Sequence, residues 1–226
     1  MTGAALGATF DFFDEIQCLT ADGREEILDR GHQRFRDVGI SQRARVFNGS
    51  VVDARDLPDP TAFYGWRTRY LTSVSHREMW REASDRGVQH LLITEDDIGF
   101  VGFDPDALAT AIEGLPPDWQ VLFIGYIVPN PAKLPEARLL NPHLLQFSEF
   151  GADVRSGVCY ALNLRYAEEI LAYDPASDGV VDRWLSENLR TLCVHPLMVV
   201  EDQVDARGRP KSEWFLSQAD QICFQA

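Results

Sequence analysis

Apolar positions recur along the chain in two patterns, one typical of strands and one typical of helices. Short apolar runs between polar residues predict strands at 15–20, 44–47, 91–93, 120–128, 157–162 and 191–194. Apolar residues three or four positions apart predict helices at 25–37, 70–86, 104–115, 164–173 and 179–190. Strands that alternate with helices are typical of an α/β fold. We therefore predict a mixed, mostly parallel sheet flanked by helices in a single domain.

Several predicted helices begin or end at residues that favour those positions. Asp104 precedes Pro105, and this pair suits a helix start because Asp caps exposed N–H groups and Pro fits the first turn. Asn163 is a second candidate cap. Gly39 and Gly87 follow predicted helices and are typical helix stops. The predicted boundaries therefore rest on local chemistry as well as on spacing.

One predicted strand leads directly into a cluster of acidic residues. The apolar run Leu91–Ile93 is followed closely by Glu95, Asp96 and Asp97. Neighbouring carboxylates repel one another, and their burial is costly unless a cation or several hydrogen-bond donors compensate. The carboxyl ends of parallel strands are also where α/β proteins bind ligands. We therefore predict a divalent metal site that serves a phosphate-bearing ligand. The alternative is a solvated acidic loop.

The alternation of side chains along a strand predicts how the three acids are divided. Residues i and i+2 of a strand share a face, so Glu95 and Asp97 would point one way and Asp96 the other. Two carboxylates at a strand end suit Mn²⁺ or Mg²⁺ and leave coordination positions open for phosphate oxygens. The predicted metal ligands are therefore Asp97 and Glu95, with His195 or Asp202 as the candidate for a further ligand.

The composition fits one folded domain and argues against a nucleic-acid partner. The chain has 226 residues, of which 45% are hydrophobic, and this is enough for one substantial core. Its net charge is −14, and its two lysines, Lys133 and Lys211, form no basic cluster. Such a surface repels nucleic acid. We predict a peripheral leader at 1–13, in which Phe10, Phe12 and Phe13 are candidates for packing on the domain, the domain at 14–203 and a tail at 204–226.

The sequence is typical of a reduced, cytoplasmic protein. No apolar stretch approaches the roughly 20 residues of a membrane helix, and the first residues lack the basic and apolar regions of a signal peptide. The four cysteines form no C-x-x-C pair. Three of them, Cys18, Cys159 and Cys193, fall in apolar, strand-like segments, so we expect reduced cysteines in the core.

Residues 129–151 differ from the rest of the chain. They include four prolines and show no clear period, which predicts a functional flap or acceptor loop rather than a simple connection. The chain contains neither G-x-G-x-x-G nor G-x-x-x-x-G-K-[ST], so the two common glycine-rich phosphate-binding loops are not indicated.

Further short motifs accompany the acidic cluster in a fixed order. They are Ser75-His76 on a helix with Trp80, Glu95-Asp96-Asp97 after an apolar strand, Leu115-Pro-Pro-Asp118-Trp119, the strand Gly157–Leu162, and Val181-Asp182 before a helix. This set covers about residues 14–203 and resembles glycosyltransferase family 25, which includes bacterial lipopolysaccharide glycosyltransferases and collagen galactosyltransferases. The chain departs from the family pattern at Leu19–Arg24 and at Tyr64–Arg69, which favours a specialised member.

The resemblance implies a GT-A fold, a nucleotide-sugar donor that is typically a UDP-sugar, and inversion at the anomeric carbon. Glu95, Asp96 and Asp97 would form a DxD-like element that binds the donor diphosphate through Mn²⁺ or Mg²⁺. His76 and Arg24 are the other donor-binding candidates. Arg24 ends the segment that helps to bind the nucleotide in such folds.

Asp182 is the candidate general base. An inverting transfer needs a carboxylate near the acceptor that takes the proton of the attacking hydroxyl. The alternative is an ordinary Asp at a helix N-terminus, favoured there by the helix dipole. Glu149 and Asp153 are lesser candidates for the base. For His76, the alternative is a structural histidine hydrogen-bonded between helix and sheet.

The predicted function is therefore a metal-dependent glycosyltransferase that acts on a saccharide, peptide or small-molecule acceptor. A non-catalytic nucleotide-sugar-binding or interaction module on the same fold is the first alternative, and the altered segment Leu19–Arg24 motivates it. A metal-dependent phosphohydrolase is the second alternative, although no nucleophile constellation accompanies the acids.

Overall fold

The computed structural model describes residues 9–40, 44–51, 67–128, 137–147 and 154–202. These residues form a ten-stranded sheet with helices packed against it. The strands are β1 (Glu15–Thr20), β2 (Ala44–Asn48), β3 (His90–Glu95), β4 (Ile98–Phe100), β5 (Val121–Ile127), β6 (Ala137–Asn141), β7 (Leu144–Phe147), β8 (Arg155–Asn163), β9 (Thr191–Val194) and β10 (Val199–Glu201). The helices are α1 (Glu25–Asp37), α2 (Arg67–Asp85), α3 (Pro105–Glu113), α4 (Ala167–Leu171), α5 (Pro175–Asp178) and α6 (Val181–Asn188). Short 3-10 turns lie at Phe10–Phe12, Gly49–Val51 and Leu164–Tyr166.

The sheet is mixed, and most of its strands run in the same direction. Its order is β2-β1-β3-β8-β5-β9-β7-β6, and β10 joins it beside β5 and pairs with β4. Strand β1 lies parallel to β2 and β3, and β5 lies parallel to β9. Among the described strands, only β4, β7 and β8 run against the others. The predicted α/β class with a mixed, mostly parallel sheet is therefore confirmed.

The central strands are buried, as their continuous apolar runs predict. Leu91, Leu92 and Ile93 of β3 are at most 1% exposed. One main hydrophobic cluster joins the sheet to its helices, with α2 packed against β1 and α6 against β8. This cluster includes Phe10 and Phe13, so the last part of the predicted peripheral leader belongs to the core. The apolar area of these two rings favours their burial, and both are among the leader residues that the sequence makes candidates for packing.

The predicted helix ends are confirmed at several positions. The Asp104 carboxylate accepts hydrogen bonds from two N–H groups in the first turn of α3. The Asn163 side chain accepts a hydrogen bond from the backbone N–H of Arg165. Gly39 and Gly87 have φ angles of 81° and 78°, in the left-handed region where glycine commonly ends a helix. Local chemistry thus fixes these boundaries.

The sheet contains more strands than the apolar runs predict. β4 and β10 have three residues each, too few for a visible period, and they form by pairing with each other. The hairpin of β6 and β7 lies within 129–151, which the sequence predicts to be irregular, because β7 finds a partner in β9. The predicted helix at 164–173 is divided into a 3-10 turn and α4. Pairing and packing, rather than periodicity, decide these short elements.

The predicted burial of the cysteines is confirmed for those the structure describes. Cys18, Cys159 and Cys193 are buried and form no disulfide. Cys223 and the predicted tail at 204–226 lie outside the described residues. Within the described ranges, every helix is too short or too polar to span a bilayer.

Candidate functional site

The acidic cluster lies where β3 ends, beside the end of the parallel strand β1. Leu19 of β1 is in register with Glu95, the last residue of β3. Asp96 and Asp97 form the turn that leads into β4. Asp96 is 1% exposed and Asp97 is 4% exposed. The alternative of a solvated acidic loop is therefore wrong, and the two carboxyl groups need partners inside the protein.

Arg24 and Thr20 bind the carboxylate of Asp96. The Arg24 Nε donates to Asp96 Oδ2 at 2.8 Å, and its Nη2 donates to Oδ1. The Thr20 hydroxyl donates to Oδ2 at 2.6 Å, and the Asp96 N–H donates to the carbonyl of Leu19. Both Asp96 oxygens are therefore engaged by the protein. These hydrogen bonds to Asp96 raise the pKa of Arg24 above its ordinary value.

The side chains of the three acids do not alternate as predicted for an extended strand. Strand β3 stops at Glu95, so the side-chain alternation does not extend to Asp97. Instead Arg24 Nη2 lies 3.5 Å from Asp97 Oδ2 while it holds Asp96, and Glu95 contacts His76. The turn thus brings Asp96 and Asp97 to one guanidinium group and leaves Glu95 to a different partner.

A series of buried side chains, linked by hydrogen bonds, leads to Glu95. The Trp80 indole N–H donates to the Tyr160 hydroxyl at 3.0 Å, and that hydroxyl lies 2.8 Å from His76 Nδ1. The other ring nitrogen of His76, Nε2, lies 3.3 Å from Glu95 Oε1. Trp80, Tyr160 and His76 have no exposed surface. His76 is therefore a histidine hydrogen-bonded between α2 and the sheet, which is the structural alternative considered for it.

Negative charge accumulates around the end of β3. Burial raises the pKa of Glu95 to about 8, and the charges of Glu201, Asp182 and Asp96 contribute to this shift. Burial also raises the pKa of Asp97 to about 7, together with the charges of Glu95, Glu201 and Asp96. Arg24 opposes both shifts. A bound cation would relieve the same repulsion, so the electrostatics fit a divalent ion.

Strand β8 holds Asp182 near the end of β3. It lies in the first turn of α6, and its Oδ2 accepts a hydrogen bond from the backbone N–H of Ser156 at 2.8 Å. Ser156 has a φ of 106°, a conformation that is strained for a residue other than glycine. The next residue, Gly157, lies against Glu95: a Cβ added there would lie 2.8 Å from Glu95 Oε1. Two consecutive residues of β8 therefore contact Asp182 and Glu95.

The structure also identifies residues that the sequence pattern did not indicate. Glu201 of β10 pairs in register with Ile98, directly after the acidic turn, and its charge acts on Glu95 and Asp97. Gly31 of α1 lies against that turn, since a Cβ there would be 2.5 Å from the Asp96 carbonyl oxygen. In the sequence, the only indication of these residues is the position of Glu201 next to Asp202, a candidate ligand. It is the pairing of β4 with β10 that brings Glu201 beside the acidic turn.

The other candidates from the sequence have different surroundings. The Asp202 N–H donates to the Asp97 carbonyl at 2.7 Å, while its carboxylate forms an ion pair with Arg34. His195 lies beside His143, whose carbonyl accepts a hydrogen bond from the His195 N–H at 2.9 Å. Glu149 and Asp153 lie outside the described residues. Asp202 is thus beside the acidic turn, but its carboxylate is engaged by Arg34.

The donor set fits a cation that arrives together with a phosphate ligand. In the described part of the chain, no three His, Cys, Asp or Glu residues are grouped closely enough to hold a metal ion by themselves. Mg²⁺ is commonly bound by one or two carboxylates, with phosphate oxygens and water completing its shell. Glu95 and Asp97 could supply those carboxylates, whereas the Asp96 oxygens are already engaged by Arg24 and Thr20.

Arg24→Ala is expected to lower the free energy of unfolding by about 2 kcal/mol. Breaking a buried ion pair costs roughly 3–5 kcal/mol, and the partial exposure of Arg24 reduces that figure. Urea unfolding would measure the change. Arg81→Ala is the matched control, because Arg81 forms exposed ion pairs and its loss should cost about 0.5 kcal/mol or less. Equal losses in both variants would contradict a buried role for Arg24.

Glu95→Gln is expected to flatten the dependence of stability on pH in EDTA. Unfolded Glu95 loses its proton near 4.5 and folded Glu95 near 8, so its contribution to stability is complete below the lower value and is lost as the pH rises to the higher one. Neutral Gln removes this loss. The melting temperatures of the two proteins should be similar at the acidic end of the pH range, and that of the variant should be higher near the alkaline end. Parallel profiles would contradict the raised pKa.

The comparisons with known proteins give distant likenesses. No family model matches the chain, so the resemblance to glycosyltransferase family 25 stays a prediction. A UDP-glucose pyrophosphorylase, solved with UDP-glucose, is 9% identical, with 96% of this chain and 84% of that one covered and a TM-score of 0.45. A mannose-1-phosphate geranyltransferase from Thermus thermophilus is 14% identical, with 83% and 75% covered and a TM-score of 0.44. Likenesses at these values assign no activity, so the function is drawn from the geometry of the site.

Proposed function

We propose that this protein is a metal-dependent transferase that moves a sugar from a nucleotide-sugar, in particular a UDP-sugar, to an acceptor hydroxyl with inversion. One observation carries the proposal. Ser156 donates to Asp182 and the adjacent Gly157 lies against Glu95, so acids from distant parts of the chain meet at the end of β3. A carboxylate pair for a donor cation and a separate carboxylate for the acceptor are what such a transfer requires.

Arg24 and the acidic turn form the donor side of the proposed site. Asp96 holds the Arg24 guanidinium through Nε and Nη2. The remaining nitrogen, Nη1, makes no hydrogen bond to any residue that the structure describes, and Arg24 is one-third exposed. An arginine oriented in this way can donate to a phosphate oxygen. Asp97 and Glu95 would hold Mn²⁺ or Mg²⁺, which neutralises the diphosphate as it leaves.

Asp182 is placed on the acceptor side as the general base. Its Oδ2 accepts from Ser156 N and its Oδ1 accepts from Arg183 N, both at 2.8 Å. Each carboxylate oxygen can accept a further hydrogen bond, so these two contacts orient the group without blocking it. The half-buried side chain can thus accept the proton of an acceptor hydroxyl, which then attacks the anomeric carbon.

Thermal shift with a panel of nucleotide-sugars, in Mn²⁺ and then in EDTA, tests the proposal. We expect stabilisation by at least one donor that is lost in EDTA, followed by release of the nucleotide when saccharide, peptide or small-molecule acceptors are added. The absence of metal-dependent stabilisation by every donor would overturn the proposal. Release of pyrophosphate from a nucleoside triphosphate and a sugar 1-phosphate would instead indicate a nucleotidyltransferase, which shares the cation–diphosphate chemistry.

A non-catalytic nucleotide-sugar-binding module is the second candidate. It is favoured by the engagement of both Asp96 oxygens, which leaves fewer carboxylate oxygens for a metal than an open acidic cluster would. Donor binding without sugar release, with no change in Asp182→Asn, would support this candidate. Hydrolysis of simple phosphoesters would support the phosphohydrolase.

A further inference from the structure

The chain of hydrogen bonds behind Glu95 has a definite direction. The Trp80 indole N–H can only donate, so the Tyr160 oxygen accepts from it. The Tyr160 hydroxyl has a single proton, and His76 Nδ1 is the acceptor within reach, at 2.8 Å. When the Tyr160 hydroxyl donates to Nδ1 in this way, Nδ1 carries no proton and Nε2 carries one. The Nε2–H points to Glu95 Oε1 at 3.3 Å, which satisfies every group in the chain.

We infer that Trp80, Tyr160 and His76 form a positioning chain that commits Oε1 of Glu95 to the protein and leaves Oε2 to face the ligand. The three residues are completely buried, whereas the Glu95 side chain is 24% exposed. His76 is the one described residue whose side chain donates a hydrogen bond to Glu95. The positioning chain therefore acts through Glu95, and His76 is a positioning residue rather than one that touches the donor.

Gly157 supports the positioning chain from the other side. A Cβ at this position would lie 2.8 Å from Glu95 Oε1 and 3.4 Å from His76 Nε2. Any side chain here would press on the hydrogen bond that fixes Glu95. The absence of a side chain at Gly157 thus allows β8 to close over the contact, and the carboxylate is confined between β8 and α2.

A carboxylate with one committed oxygen selects among cations, a consequence that rests on the proposed function. Ca²⁺ takes six to eight oxygen ligands in flexible geometry and often uses both oxygens of a carboxylate, whereas Mg²⁺ demands a compact octahedral shell. Glu95 held through Oε1 is a poor bidentate ligand. We therefore expect the site to favour Mn²⁺ and Mg²⁺ over Ca²⁺. Loss of the positioning chain should shift the preference towards Ca²⁺.

The first test reads the tautomer of His76 directly. In protein labelled with ¹⁵N-histidine, two-bond proton–nitrogen correlations should show a neutral ring with its proton on Nε2, and the signal is assigned by its disappearance in His76→Gln. In Tyr160→Phe the proton should stay on Nε2, which still faces Glu95, while the ¹⁵N shift of Nδ1 should change because this nitrogen loses its donor. A wild-type ring protonated on Nδ1, or an Nδ1 shift that is the same in Tyr160→Phe as in the wild type, would overturn the positioning chain whether or not the protein binds a metal.

The second test measures titration calorimetry with Mn²⁺ and with Ca²⁺, each in the presence of UDP as the phosphate ligand. Loss of a partner behind a metal ligand typically weakens binding about 10–100-fold. We expect a loss in that range for Mn²⁺ in His76→Leu, a smaller but measurable Mn²⁺ loss in Tyr160→Phe, and smaller losses for Ca²⁺ in both variants. His76→Gln should partly restore Mn²⁺ binding relative to His76→Leu, because the Gln amide can still donate to Glu95.

Tyr173→Phe is the matched control for both tests. Tyr173 is also buried, packs on the Trp80 ring with centroids 5.7 Å apart and donates to the Gly179 carbonyl, outside the positioning chain. Its loss should leave the Nδ1 shift of His76 and the Mn²⁺ affinity unchanged. Equal Mn²⁺ losses in Tyr160→Phe and Tyr173→Phe would overturn the inference. Failure of the wild-type protein to bind Mn²⁺ in the presence of UDP would overturn the proposed function, and the ¹⁵N-histidine spectra alone would then decide the positioning chain.

Discussion

Asp97→Asn is expected to abolish the metal-dependent stabilisation by the donor while it raises the stability of the metal-free protein. Asn lacks the charge that binds a divalent cation, so the Mn²⁺ affinity should fall by more than the roughly 10–100-fold lost with an outer partner. The same change removes a buried carboxyl group whose pKa is raised to about 7. Above that pH the wild-type folded state holds an unfavourable charge, which the variant lacks.

The opposite directions of the two effects make this prediction specific. If Asp97 were structural, its replacement would lower both stability and binding. If Asp97 binds the ligand at a cost in stability, its replacement should lower binding and raise stability. Melting temperatures in EDTA near pH 8, with and without a UDP-sugar and Mn²⁺, measure both. Asp85→Asn is the control, because Asp85 is exposed and forms its ion pair with Arg81. A lower stability of Asp97→Asn in EDTA would contradict the prediction.

Asp182→Asn is expected to reduce sugar transfer by about 10²–10⁴-fold without loss of donor binding. A positioned general base typically contributes an effect of this size. Asn keeps the shape of the side chain and an oxygen that can accept from Ser156 N, so the fold around the strained Ser156 should persist. The expected result is a lower kcat with an unchanged KM for the donor.

The control for Asp182 lies on the same helix. Glu187→Gln removes an acid of α6 that forms an exposed ion pair with Arg183, and it should leave the rate of transfer unchanged. If Asp182→Asn transfers sugar at the wild-type rate, Asp182 is only a helix-terminal residue favoured by the dipole. If the variant instead loses donor binding together with stability, its contact with Ser156 is structural and the base lies elsewhere.

Much of the fold could be predicted because it depends on local patterns. β1, α1 and β9 have the bounds that the spacing of apolar residues predicts. Asp104 and Gly87 act at helix ends through their own side chain or backbone freedom, which needs no information about the rest of the chain. The strands β4 and β10 could not be predicted, because three residues gain strand geometry only when a partner is beside them.

Part of the site could also be predicted, because that part depends on a local pattern. The acids Glu95, Asp96 and Asp97 follow an apolar run that marks the end of a buried strand, and this signal is local. The identity of their partners is not local: Thr20 and Arg24 reach Asp96 across more than 70 positions of the chain. The predicted alternation failed at Asp97 because the turn after β3 replaced the extended geometry on which alternation depends.

The sequence by itself determined the α/β class, the main strands and helices, and the presence of an acidic cluster at the end of a strand. These features follow from periodicity and from residue types that favour helix ends. Only the tertiary structure decided that Asp96 is engaged by Arg24, that His76 lies behind Glu95, and that Glu201 and Asp182 add their charge nearby. Electrostatic and hydrogen-bond partners depend on distance in space, and strand order sets that distance.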